Sequence, residues 1–159
     1  MKRKNNQLIA FLQDRGETLA LAESMTAGLA CHQLAGVKGA CDVLKGSIVC
    51  YDPGVKTGLL GVPPGLIKKH TAESQEVTDA LALKLSRKIK ADVYVAVTGL
   101  AASGGSETKS KPVGTVFFSL RYKNRTYRKR CLFRGTPVRI REKACHGLFT
   151  FVIDTLRAL

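Results

Sequence analysis

The sequence predicts an α/β fold: a single three-layer α/β/α domain, residues 1–159, around a mixed, mostly parallel sheet. Three observations carry this. Residues 18–22 and 93–97 are short, near-continuous apolar runs ended by small residues, the pattern of strands covered on both faces. Stretches of helical periodicity alternate with them. Two segments rich in β-branched and aromatic residues, 113–122 and 126–133, then read as a hairpin before a last amphipathic helix. With 159 residues, 45% of them hydrophobic, the chain can bury one core and has no disorder signature.

The elements follow in order. Residues 5–15 form a first helix with Leu8, Phe11 and Leu12 on one face and Gly16 as its C′ residue. The strand 18–22 leads into Glu23-Ser24-Met25-Thr26-Ala27-Gly28, and a helix is expected over 27–35. A loop at 36–40 precedes a strand at 43–51. Asp52-Pro53-Gly54 is turn chemistry, followed by short helical pieces at 55–60 and 66–70. Ser74 caps the clearest helix, 74–90, in which Val77, Leu81, Leu85 and Ile89 repeat every fourth residue. After the strand 93–97 comes a small-residue loop, then the hairpin, turning near Lys123-Asn124-Arg125. Thr136 caps the last helix with Pro137 at its first position; Ile140, Ala144, Leu148, Val152 and Leu156 form its buried stripe.

Bulk properties narrow the function classes. No apolar run is long enough to cross a bilayer, and the basic N-terminus lacks the apolar core of a signal peptide, so the expected location is the cytoplasm. The five cysteines are scattered without a C-x-x-C pair, and the three histidines lack ligand spacing; no metal and no cofactor are expected. The net charge of +14 suits a phosphorylated small molecule or nucleic acid. Tyr122 and Tyr127 are too few for a base-stacking platform, which disfavours the nucleic acid. A phosphorylated small molecule is therefore the expected partner, with no membrane, and a homo-oligomeric assembly is expected as well.

In open α/β sheets a ligand sits beyond the carboxyl ends of the strands. Three turn segments fall there: 23–28, 51–56 and 98–105. If they converge they bring together Ser24, Thr26, Tyr51, Lys56 and Thr98. Ser24 reads as a helix N-cap, an anion ligand or a nucleophile. Lysine can serve as a base when burial lowers its pKa. The backbone N–H groups opening the next helix can form an oxyanion hole, and the 98–105 loop can cradle a phosphate. The ordinary alternatives are a surface Lys56 and a core Tyr51.

At these residues the chain resembles the CinA C-terminal domain family. Glu23-Ser24-Met25-Thr26-Ala27-Gly28 is similar to its E-S-C-T-G-G signature, and residues 96–105 to its A-V-T-G-I-A-G-P-G-G loop. Lys111-Pro112-Val113-Gly114-Thr115-Val116 matches K-P-V-G-T-V outright. Tyr51 and Lys56 fit its Y-x-x-x-x-K, Leu59-Leu60-Gly61-Val62-Pro63 fits L-L-G-V-P, and Phe133, Gly135 and Arg141 fit the lead into the last helix. Stand-alone members hydrolyse the carboxamide of nicotinamide mononucleotide to nicotinate mononucleotide and ammonia. The resemblance implies Ser24 as nucleophile with Tyr51 and Lys56 as its catalytic partners. It also implies substrate contacts at Glu23, Thr26, Ala27, Gly28, Thr98, Gly99, Ala101, Gly104, Gly105 and Arg141. Met25, Ala27 and Ala102-Ser103 depart from the family pattern. A positive φ at Ala27 is costly, and the altered loop leaves open a weak or silent nucleotide-binding paralogue.

Overall fold

A computed structural model describes residues 2–159; Met1, where the expected domain begins, lies outside them. The chain runs α1 (Lys2–Asp14), β1 (Leu19–Glu23), α2 (Leu29–Ala35), α3 (Ala40–Val43), β2 (Leu44–Val49), α4 (Pro53–Gly58), α5 (Pro64–His70), α6 (Gln75–Leu85), β3 (Val93–Gly99), β4 (Thr115–Tyr122), β5 (Arg125–Leu132) and α7 (Pro137–Arg157). The sheet order is β2-β1-β3-β4-β5. β1 pairs in parallel with β2 and β3, and β4 is antiparallel to β3 and β5. Four strands therefore point the same way and β4 alone opposes them, which is the mixed, mostly parallel sheet expected.

The strands alternate between two cores. Leu19 and Leu21 of β1 join Leu8, Leu12, Leu34, Leu148 and Val152 on the face covered by α1, α2, α3 and α7. Ala20 and Ala22 join Val77, Leu81 and Leu85 on the face covered by α4, α5 and α6. The small alanines let α6 lie close. All five stripe residues of α7 are buried. No helix among the described residues is long and apolar enough to cross a membrane.

Several boundaries differ from expectation. α2 starts two residues late because Ala27 (φ 50) and Gly28 (φ 92) are left-handed. α3 takes Ala40 from the end of the expected 36–40 loop and Val43 from the start of the expected 43–51 strand, with left-handed Gly39 as its N-cap. α6 ends at Leu85, five residues early: Ser86 Oγ donates to Leu83 O, a local bond that competes with the helix, and Ile89 still packs against the α6 core. The hairpin turn uses Lys123 (φ 45) and Asn124 (φ 62), both left-handed as a two-residue type I′ turn requires.

The chain leaves β1 for β2 on one side and returns to β3 on the other. The strand order therefore reverses at β1, and the crevice at a sheet's reversal point is where α/β sheets bind ligands. Ser24 is the first residue beyond it.

Candidate active site

Both neighbouring strands hold the turn after β1. The Ser24 N–H donates to Val97 O at 3.1 Å, and the Cys50 N–H donates to Glu23 O at 2.7 Å. Ala27 N–H then donates back to Ser24 O at 3.0 Å, closing a tight turn.

Glu23, fully buried, organises the start of α2. One carboxylate oxygen accepts from the Gly28 and Ala30 N–H groups and the Thr26 hydroxyl; the other accepts from the Cys31 N–H and the Ser47 hydroxyl. This corrects the expected substrate roles of Glu23, Thr26 and Gly28, and the expected oxyanion hole at the helix start. A buried carboxylate must be satisfied, and the orphan donors of α2 are the nearest groups that can do it. It also removes Ser24 from capping, since Glu23 takes that role. Ala27 is part of the turn and spends its N–H on it. Among the described residues, the N–H groups left without a partner here are those of Met25 and Thr26, directly after Ser24.

Lys56 is 1% exposed. Its Nζ lies 3.0 Å from Ser24 Oγ, 2.7 Å from Cys50 O and 3.2 Å from Tyr51 O. Asp52 creates this placement by capping α4 through the Gly54 N–H, which turns the chain back so that Lys56 points under the turn. An ammonium gives its three protons to these three acceptors. A neutral amine gives two to the carbonyls and offers its lone pair to the Ser24 hydroxyl, so the same geometry serves both protonation states. Burial lowers the Lys56 pKa, against the opposing pull of nearby groups that include the Glu73 and Asp52 carboxylates. Burial also pushes Cys50 up to about 11, so at neutral pH Cys50 is uncharged.

Tyr51 is placed differently from both sequence readings. It is 61% exposed, neither core nor bonded to Ser24; its backbone carbonyl, not its hydroxyl, holds Lys56. β2 ends at Val49, so Tyr51 lies beyond the sheet, and it lines a cavity of about 230 Å³ beside Ser24. The expected site role of Thr98 is also corrected: it is fully buried on β3, and its hydroxyl pairs with that of Thr78 on α6 at 2.8 Å.

Gly99, Ala101, Gly104, Gly105 and Arg141 do line the cavity. A Cβ on Gly99 would stand 2.6 Å from Met25 Sδ and from Thr115 O, so only glycine lets the two loops touch. Arg141 Nε donates to Met25 O at 2.9 Å, tying α7 to the turn. In the 98–105 loop the Gly104 and Gly105 N–H groups each donate to one oxygen of Glu107 at 2.8 Å. The expected phosphate donors are thus held by the chain's own carboxylate, because a flexible glycine loop closes on the nearest anion in sequence. These bonds lower the Glu107 pKa.

Two further residues adjoin the site, although the sequence reading does not place them there. Glu73 lines the cavity, and Lys111 Nζ donates to Ser106 Oγ at 2.8 Å, Thr71 Oγ1 at 2.7 Å and Glu73 O at 3.0 Å. Glu73 reads as a helix-dipole partner of α6, and Lys111 as one residue of a motif; nothing local distinguishes either. Among the described residues no three His, Cys, Asp or Glu side chains come close enough to share a metal ion.

Fold and site together define a three-layer α/β/α domain with a buried serine–lysine pair at the carboxyl ends of its parallel strands. The chain belongs to the CinA C-terminal domain family, which it matches over residues 1–156. It is 40% identical over 138 residues to a CinA-like protein of Desulfotalea psychrophila, an alignment covering 86% of this chain and 33% of that protein. It is 41% identical over 113 residues to a CinA-like protein of Prochlorococcus marinus, covering 71% of this chain and 26% of that one. The chain thus spans about a quarter to a third of these relatives. Among solved structures, a CinA superfamily protein from Enterobacter cloacae superposes with a TM-score of 0.91 at 28% identity, covering 98% of this chain and 91% of that one. The competence damage-inducible protein A from Klebsiella pneumoniae gives 0.93 at 24% identity, covering 98% and 96%, and shows the shared fold.

Proposed function

We propose that this chain is a nicotinamide-nucleotide amidohydrolase, converting nicotinamide mononucleotide and water to nicotinate mononucleotide and ammonia. The observation that carries it is Lys56 Nζ, buried and 3.0 Å from Ser24 Oγ. Neutral Lys56 takes the Ser24 proton as Oγ attacks the carboxamide carbon. The Met25 and Thr26 N–H groups are the donors available to the oxyanion. Lys56 then passes its proton to the departing ammonia, leaving an acyl ester on Ser24. Water, activated by Lys56, hydrolyses that ester and restores the serine. Tyr51 offers the substrate its ring face, which suits stacking on a pyridinium.

The test is ammonia release from nicotinamide mononucleotide by the purified protein, with Ser24→Ala as control. Release that persists in the variant removes Ser24 as nucleophile. A wild-type protein that binds the nucleotide without releasing ammonia favours the silent nucleotide-binding paralogue.

A further inference from the structure

We propose that Glu73 sets the charge selectivity of this site, favouring a substrate whose reacting ring is cationic over a neutral ring of the same shape. This rests on the amidohydrolase reading and names the residue that recognises the pyridinium. Glu73 and Arg141 are two charges of opposite sign lining one small cavity beside Ser24. A pyridinium mononucleotide carries the matching pair, a positive ring and a negative phosphate.

The Glu73 carboxylate is fixed in place. Its Oε2 accepts from the Ser106 hydroxyl, which itself accepts from Lys111 Nζ. Its Oε1 has no partner among the described residues and is free for a ligand. Holding Lys111 does not require this carboxylate, because the Glu73 backbone carbonyl, Thr71 Oγ1 and Ser106 Oγ already accept all three of its protons. A half-buried carboxylate left open in a cavity is therefore explained by what enters the cavity. A cationic ring also withdraws electrons from its carboxamide, so the favoured substrate is the one whose carbonyl Ser24 attacks more readily.

The probes are nicotinamide mononucleotide and its 1,4-dihydro form, which has a neutral ring. Affinities for both are measured by calorimetry on Ser24→Ala, which removes turnover, and then on Ser24→Ala combined with Glu73→Gln. The amide carries no charge but keeps an acceptor for Ser106, so E73Q tests charge rather than fold. Glu73 also acts on Lys56, but that effect is common to both ligands and cancels in their ratio. The expected result is a preference of about tenfold for the cationic ring, the scale of one charge pair in a partly solvated cleft. The preference disappears in Glu73→Gln, chiefly by weaker binding of the cation, and survives in part in Glu73→Asp. A preference unchanged in Glu73→Gln, or equal losses for both ligands, overturns the proposal. Ammonia release by the wild type without any charge preference overturns this proposal alone. A wild-type protein that neither binds nicotinamide mononucleotide nor releases ammonia from it overturns the amidohydrolase reading, and this proposal with it.

Discussion

Two carboxylates hold backbone N–H groups in segments next to the site, Glu23 in the turn that carries Ser24 and Glu107 in the loop after β3, and they differ in burial. Glu23 is fully buried and takes three N–H groups and two hydroxyls. Glu107 lies on an exposed loop and takes two N–H groups. The first cannot be exchanged, because no water can replace it without unfolding the turn. The second competes on nearly equal terms with water or any incoming anion. Burial thus separates a rigid chemical end of the site, around Ser24 and Lys56, from an adjustable binding end at residues 99–107.

If that division holds, the largest effects belong to the rigid end. Ser24→Ala is expected to lower ammonia release by about 10⁴-fold or more while leaving nucleotide affinity in place, as for other nucleophile deletions. Steady-state kinetics and calorimetry together check this. Lys56→Met is expected to cost about 10³-fold, the scale of a lost general base. In the wild type, activity should rise with pH as Lys56 loses its proton, at a value below the ordinary 10.5. The same shift affects stability. Between the lowered folded value and 10.5 the unfolded chain binds more protons than the folded one, so stability contributed by this group rises with pH across that window. Thermal melts at several pH values should show that rise, and Lys56→Met should flatten it.

Glu23→Gln probes the rigid end through stability. The amide keeps one acceptor but points an NH₂ at N–H donors, which should cost about 3 kcal/mol. At the same turn Ala27→Gly should stabilise by about 1 kcal/mol, since it relieves a φ of 50 on a residue with a Cβ. Denaturant titration reads both. At the adjustable end the effects should be small. Glu107→Ala frees the Gly104 and Gly105 N–H groups; it should leave the melting temperature unchanged and lower KM for nicotinamide mononucleotide about threefold, the scale of one charge-assisted contact in an exposed loop. KM for nicotinamide, which has no phosphate, should stay put. Equal changes for both substrates would show that this loop does not meet the phosphate.

Local chemistry made much of the fold readable. Hydrophobic period marked the strands, α6 and α7, Thr136-Pro137 marked the start of α7, and Lys123-Asn124 marked the hairpin turn. The order of the elements and the small residues at strand ends placed Ser24 at a strand-to-helix turn. What spacing could not supply is where long side chains end. Lys56 looks like any surface lysine, and Tyr51 like any core tyrosine, yet the first is buried and the second exposed. That inversion comes from the Asp52 cap, which folds α4 back over the β1 turn. Glu23, Glu73 and Glu107 likewise read as three ordinary acids. It took the folded arrangement to spend the first on α2, to set the second in the cavity wall and to fill the loop with the third. The reason is that backbone periodicity is written in neighbouring residues, whereas the partner of a charge is chosen by burial and by whichever donors the fold brings within hydrogen-bonding distance.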